Sequence, residues 1–487
     1  MVADKDQEKT KTAQRLVKNS IWLFSAEGLS KVIALGIQII AARYLGDKGF
    51  GVFGFAFVAT GVVVNFIDNG LKVFLTRAIS RKPELIGAYL HNVFVLKFLL
   101  TLLSVLLFSV AVVIMPLDRE TLTVVAVIGF ALVVNGYTEM YLGVFRALEN
   151  MPLVSKLMVF QRILFFVFGL FVLVSGYGVV AFSSAFLISS IVSLLLAHFQ
   201  LKRPKSSWKK DLNRGVIGNI FQESLPVCGI VFFAYIYFCI DSVLLFLMIG
   251  KSATGWYYAA FKLIESLALL LASVRGALFP ILSRTYSQNE DQFNRLWAEA
   301  ARYLLLIGLP FSAGTAILAP QLIDLLYGSL YEITGPVLQI MAIPFFLLVL
   351  NEFMAYLLLS ADKTRSVLKI VVAAAIFNLI CNLFVIPRWG LMGAAVVAGL
   401  TELLLFGLFF QSTQKNIGHI PLMSFFWRPV LASAGMGFAI MKVSWPLMPS
   451  FVLGVGVYFI LLVLLRTFNE FDRLVFRNLL TPQKDSG

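Results

Sequence analysis

Charge is scarce in this chain. Of its 487 residues only 14% are Asp, Glu, Lys or Arg, while 59% are hydrophobic and the mean hydropathy is +0.88. A soluble domain carries about 25% charged and about 45–50% apolar residues, so the polar residues here are too few to cover soluble surfaces. Cysteine is scarce as well. Cys228, Cys239 and Cys381 all lie inside apolar runs and read as small core hydrophobes, which excludes a disulfide framework or a thiolate metal site. The three histidines, His91, His198 and His419, fall near helix ends or in a loop, leaving no buried histidine relay. Catalytic signatures are missing too: there is no His-Glu-x-x-His and no Gly-x-Ser-x-Gly. Gly250-Lys251-Ser252 looks like the end of a P-loop, but Leu245 occupies the required upstream glycine position. Asp4-Lys5-Asp6 matches a bare metal motif by chance in a charged tail. Neither an enzyme nor a resident cofactor is expected. The first twenty residues are polar and basic and the apolar run that follows is too long for a signal-peptide core, so no cleavable signal is read.

What the chain has is long apolar runs. They fall at about 20–44, 51–76, 86–115, 121–145, 153–175 and 178–200, and after a basic break at about 222–249, 254–283, 296–326, 333–360, 366–387, 390–413, 426–445 and 448–466. About 20 apolar residues span the hydrocarbon layer, and runs this long without alternation exclude barrel strands. The expected fold is an all-α polytopic membrane protein of about fourteen transmembrane helices. Its expected segments are a cytoplasmic basic tail at 1–19, a six-helix lobe at 20–200 and a basic linker at 201–216. A second six-helix lobe at 217–415, two additional helices at 416–466 and an amphipathic cytoplasmic tail at 467–487 follow. Pro310 and Pro344, inside spans, are read as bending points.

Lys and Arg set the orientation. With the amino terminus inside, 27 of the 40 fall in cytoplasmic segments and six (Arg43, Lys48, Arg119, Lys251, Arg388 and Lys442) on the other face. This bias places both termini in the cytoplasm and the chain in the cell inner membrane. It also accounts for the net charge of +14, which in a soluble protein would suggest nucleic acid; no nucleic-acid partner is expected.

An internal repeat is legible. Gly46 and Gly51 after span one, with Phe57 beyond, match Gly250 and Gly255 after span seven, with Phe261 beyond. Tyr177-Gly178-Val179-Val180-Ala181 lies over Trp389-Gly390-Leu391-Met392-Gly393 at a similar offset. Two six-span halves in parallel orientation follow, with two spans appended. In duplicated transporters the substrate site sits between the repeats.

The remaining seven cations and seven carboxylates lie inside spans. Each costs at least about 2.5–3.5 kcal/mol at the bilayer centre, so they pair with one another or line an aqueous cavity. Glu27 and Lys31 are four apart, Asp68 and Lys72 are four apart, and Lys262 and Glu265 are three apart, which puts each pair on one helix face. Each pair either neutralises itself within a helix seam or serves a site, and the gathering of charge in equivalent spans of the two halves favours the site. The charges do not superpose under the repeat: Lys31 falls over Tyr235 and Lys72 over Gly276. A cavity rich in Lys and Arg, Arg275 among them, suits an anion such as pyrophosphate. Asp241 has no basic partner at three or four residues and is the best single site for a coupling proton or sodium ion. Glu139, Glu352 and Glu402 are assigned to outer-wall spans, and Lys97, Arg162 and Arg302 to helix packing or snorkelling.

Two stretches carry a family resemblance. Ala42-Arg43-Tyr44-Leu45-Gly46 to Gly49-Phe50-Gly51-Val52-Phe53 resembles the span-one to span-two turn of Wzx-type oligosaccharide flippases. Gly255-Trp256-Tyr257-Tyr258-Ala259-Ala260-Phe261-Lys262 resembles the repeat-related turn. These flippases belong to the multidrug/oligosaccharidyl-lipid/polysaccharide exporter superfamily. The resemblance implies two lobes in a V around a central cavity, and alternating access driven by an ion or potential gradient. The implied cargo is a polyprenyl-pyrophosphate-linked oligosaccharide, handled among membrane lipids and passed to polysaccharide polymerisation machinery. On that basis Lys31, Lys72, Lys262 and Arg275 would hold the pyrophosphate or acidic sugars, while Glu27, Asp68, Asp241 and Glu265 would tune charge or couple H+ or Na+. Two alternatives stand beside it. An ion-coupled exporter of cationic drugs would depend more on carboxylates than on Lys and Arg. A polytopic glycan polymerase or glycosyltransferase would need a catalytic loop, and the longest loop, 201–216, is short and holds one carboxylate, Asp211.

Overall fold

The computed structural model describes residues 2–81, 86–201, 214–286, 290–418, 422–443 and 445–468, with the side chains of 2–21, 23–24, 65–70, 73, 81, 88, 111, 214–225, 227, 269–286, 290–295 and 422–424 outside the description. The described chain is helical throughout, without a strand. The first half comprises α1 (Val2–Arg81), α2 (Ile86–Ile114), α3 (Arg119–Ala147), α4 (Met151–Val174) and α5 (Val179–Gln200). The second comprises α6 (Arg214–Met248), α7 (Lys251–Tyr286), α8 (Glu290–Tyr327), α9 (Thr334–Ala342), α10 (Phe345–Ser360) and α11 (Thr364–Asn416). Two further helices, α12 (Leu422–Val443) and α13 (Leu447–Leu464), pack on each other and on α8, where the Tyr458 hydroxyl donates to the Leu306 carbonyl at 2.7 Å.

Nine of these helices are long and apolar enough to cross a membrane, or ten with one bent pair, among the described residues. Two of the nine, α1 and α11, have twice the length a span needs, and each breaks at a glycine: Gly46 at φ +68° and Gly390 at φ +53°. Each therefore runs to one face and returns. The bent pair is α9 and α10, which meet at 47° around Ile343 and Pro344. Carbonyls freed by such a break must find new donors in lipid, and the Ser312 hydroxyl of α8 donates to the Ala342 and Ile343 carbonyls at 2.5 and 2.9 Å. Pro344 thus marks a real bend, whereas α8 runs through Pro310 without a break. With the broken helices counted twice and the bent pair once, these spans make twelve crossings, and α7 and α12, at 36 and 22 residues also long enough to cross, bring the described helices of this multi-pass membrane protein to fourteen. The C-terminal amphipathic segment read from the sequence lies outside the described residues, apart from Thr467 and Phe468.

The two halves meet along α1, which packs on α6 and α7. At the face away from the termini this contact is closest. A Cβ at Gly51 would lie 1.9 Å from the Lys251 carbonyl oxygen, and one at Gly255 would lie 2.1 Å from that of Asp47. The contact is reciprocal, residue for residue, under the repeat that relates Gly46 to Gly250. Both of those glycines have positive φ, +68° and +123°, and both open the returning helix. Only a glycine at 51 and at 255 lets the two backbones touch.

Candidate functional site

The closed face has several fasteners between the halves. Arg43 of α1 donates to the Leu325 and Leu326 carbonyls at the C-terminal end of α8, at 2.5 and 2.7 Å, where a cation also meets the negative end of the helix dipole. The Tyr331 hydroxyl donates to the Ala42 carbonyl at 3.0 Å. Lys251 at the start of α7 pairs with Asp118 at 2.9 Å. Asp118 also accepts from the Thr121 hydroxyl at 2.5 Å, and these hydrogen bonds hold its carboxyl below the usual carboxylate range. Beneath them the seam is aromatic: Phe50 packs on Tyr258, and Phe55 stacks on Phe246 with centroids 4.0 Å apart.

Deeper along the seam the lining changes to charge. Lys262 of α7 bonds Glu265 at 2.6 Å and lies over the rings of Phe57, Tyr258 and Phe261, 5.0–5.5 Å from their centroids. Phe57 belongs to α1, so this ammonium spans the two halves. Arg162 of α4 lies within electrostatic reach of both Glu265 and Glu139. Glu139 of α3 accepts from Lys72 of α1 at 3.1 Å and pairs with Arg146 at 3.6 Å. Signs alternate from mid-membrane toward the face that carries the termini, and four cations face two carboxylates. The Lys72, Glu139 and Glu265 side chains keep 28%, 30% and 35% of their surface open. Charge facing lipid is costly, so this open surface faces an aqueous cleft.

Several sequence expectations meet this arrangement directly. Lys262 and Glu265 are one pair. Lys72 is turned to Glu139, a residue the sequence assigned to the outer wall; α3 packs tightly on α1 here because Gly143 leaves room for the Lys72 stem, 3.4 Å from where a Cβ would stand. Arg162, assigned to packing, stands between two seam carboxylates. Glu27 and Lys31 occupy successive turns of α1 and are partly buried. The side chains of Asp68 and Arg275 lie outside the described residues. The signal that could have found Glu139 and Arg146 is their spacing of seven, which puts both on one face of α3.

Asp241 is elsewhere. It points away from the seam into the second half, where it is 2% exposed. Its Oδ2 accepts from the Tyr257 hydroxyl at 2.6 Å and its Oδ1 from the Asn382 amide at 2.7 Å. Asn382 also donates to Asn378, whose amide donates to Thr401 Oγ1 at 3.1 Å. The Asn382 Oδ1 is buried without a hydrogen-bond donor. A carboxylate and an unpartnered amide oxygen in a dry pocket make a set of hard oxygen ligands, suited to a proton or a small cation. No group of three or more His, Cys, Asp or Glu able to hold a metal occurs among the described residues.

Fold and seam together define a multi-pass membrane protein of two repeat-related halves with a charged cleft between them. The family model for polysaccharide biosynthesis proteins matches residues 16–286, more than half of the chain, and the protein belongs to that family. A second model, MatE, matches residues 226–384. Among curated relatives, the chain is 23% identical to a protein of Haloferax volcanii named "Probable low-salt glycan biosynthesis flippase", over 79% of this chain and 81% of that one. Its fold is similar to that of lipid II flippase MurJ in an inward closed conformation, with a TM-score of 0.76 at 15% identity over 96% of this chain and 100% of that one. It is also similar to an inward-facing multidrug resistance MATE family transporter, with a TM-score of 0.64 at 15% identity over 88% and 100%.

Proposed function

We propose that the protein is a flippase that moves a polyprenyl-pyrophosphate-linked oligosaccharide from the cytoplasmic to the outer leaflet by alternating access. The observation that carries this reading is the cleft itself: cations in excess of carboxylates, between two halves whose backbones touch at the far face at Gly51 and Gly255. Arg binds a pyrophosphate bidentately and Lys as a point charge, while the apolar polyprenyl chain stays in lipid beside the cleft. Lys72, Arg146, Arg162 and Lys262 receive the anion, with Lys31 and Arg275 as further ligands. Glu139 and Glu265 hold the cations apart when the cleft is empty, and Glu27 and Asp68 tune the charge nearer the entrance. The glycan flippase relative and the flippase fold support the same cargo class.

The bias of Lys and Arg supports cytoplasmic termini in the inner membrane, which makes the fastened face the outer one. The cycle then opens that face and closes the cytoplasmic one. Asp241 couples the cycle to an H+ or Na+ gradient: its site lies where α6, α7 and α11 meet, so filling or emptying it biases how α7 sits against α1. Units delivered outside feed polymerisation machinery. The MatE match keeps a drug exporter as the second reading, but a cationic drug calls for unpaired carboxylates in the cleft, and Glu139 and Glu265 are paired.

Depleting the protein in cells and extracting lipid-linked sugars tests the reading. Complete repeat units held on the cytoplasmic leaflet are expected. Units that reach the outer leaflet unpolymerised point to a polymerase role, and no change in any lipid-linked sugar removes the flippase reading.

A further inference from the structure

Glu402 lies about midway along the second arm of α11, between Gly390 and Asn416, and is 8% exposed. Its Oε2 and its own carbonyl both accept from the Asn351 amide of α10, at 2.8 and 2.9 Å. No cation pairs with it among the described residues. An isolated carboxylate at this depth is strongly disfavoured, whereas a carboxylic acid is not. The Asn351 Oδ1 is 3% exposed on its residue, buried, and lacks a donor, so the site has an acceptor to spare for an extra proton or a water.

Glu402 and Asp241 open onto one cavity of about 40 Å³. A water occupies roughly 10–15 Å³ on the same measure, so a few waters fit. The groups facing it are Asp241 and Tyr237 of α6, Tyr257 of α7, and Glu402 and Thr401 of α11; α9 and α10 present Met341, Phe345 and Leu348 there, with no charge. Tyr237 lies within electrostatic reach of Glu402. A hydrogen-bonded chain also runs from Asp241 through Asn382 and Asn378 to Thr401, the neighbour of Glu402 in sequence.

We propose that Glu402 is a second proton-binding carboxyl of the C-terminal half, linked to Asp241 through the cavity they share. Two negative charges cannot both stand in so dry a space. When Asp241 is ionised Glu402 keeps its proton. When Asp241 takes up a proton or a cation, Glu402 can release its own proton to the cavity water, and no other bond changes. The link rests on the reading of Asp241 as the coupling group; proton binding at Glu402 does not.

Infrared difference spectra of the purified full-length protein between acid and alkaline buffer test this. Wild type should show the C=O stretch of a protonated carboxyl that Glu402→Gln removes, with elution on size exclusion unchanged; Asn351→Ala should shift its frequency by removing the donor. Asp241→Asn should move the pH at which the Glu402 band disappears by about one unit. A Glu402→Gln spectrum identical to wild type overturns the proposal. A band that survives with an unmoved midpoint in Asp241→Asn overturns the link. If Asp241→Asn changes no band and abolishes no gradient dependence of transport while Glu402→Gln removes its own, the coupling role of Asp241 fails and the Glu402 site stands.

Discussion

Glu139 and Glu265 in the seam each touch a cation from the same cleft, whereas Asp241 and Glu402 inside the C-terminal half meet only neutral donors among the described residues. The first two side chains keep 30% and 35% of their surface open, and the second two residues are buried. An ion-paired carboxylate with part of its surface open tunes the charge of the cleft and so what the cleft will bind. A carboxyl held by a hydroxyl and amides in a dry pocket can gain or lose a proton or ion, and each change alters the cost of burial. On the proposed function, one chain thus separates recognition from energy coupling, by surroundings and not by residue type.

The sharpest break of that comparison is Asp241→Asn. Gradient-driven transport should fall to the protein-free background while folded yield holds or rises, because a buried, uncompensated carboxylate has been removed. Vesicle transport with and without an imposed gradient, read beside the purification yield, checks both halves of that statement. Gly51→Ala comes next. Its Cβ has no room against Lys251, and overpacking of about 1–3 kcal/mol should move the closed-to-open balance of the far face by about 5- to 150-fold. Paired spin labels across that face would widen, and the Asp241 pocket would be untouched. A smaller effect is expected for Glu139→Gln, which leaves Lys72 and Arg146 without their counter-charge. These groups are partly solvated, so the loss is about 1 kcal/mol, or about fivefold in transport, and it should shrink with added salt. The smallest is Asp118→Asn, an exposed pair, with transport within about twofold of wild type. Because its carboxyl is held below the usual carboxylate range, its contribution is complete above that range and is lost only as the pH falls through the lowered value. The far-face fastening should therefore be flat in transport assays from neutral to mildly acid pH, and weaken only in strong acid.

Much of the fold was legible because lipid imposes simple rules. Long apolar runs mark spans, and fourteen runs correspond to fourteen crossings. The glycine repeat was legible too, and the structure gives its physical content: Gly46 and Gly250 take positive φ, while Gly51 and Gly255 are where the halves touch. Partner choice was less legible. Periodicity places charges on one face of their own helix and says nothing about which helix stands opposite. Sequence spacing therefore offers Lys72 the Asp68 of its own span, whose side chain lies outside the described residues, and puts Glu139 on the outer wall, whereas the packing of α3 on α1 brings Glu139 to Lys72. Asp241 was singled out because it lacks a basic neighbour in sequence, and its surroundings in space are likewise uncharged. Glu402 gave the same signal, but its approach to the Asp241 pocket depends on how α11 folds back on α6 after Gly390, which no local pattern contains.

The central claim is that the charged cleft carries a lipid-linked anion and that the buried carboxyls drive the carrying. The most direct measurement is transport by the purified protein in vesicles loaded with a fluorescent polyprenyl-pyrophosphate oligosaccharide, read by a membrane-impermeant reagent while H+ and Na+ gradients are imposed in turn. The account predicts movement to the far leaflet beyond the equilibrium half with one of the two gradients, abolished by Asp241→Asn and reduced by Lys262→Ala. Movement no faster than in protein-free vesicles under either gradient would contradict it.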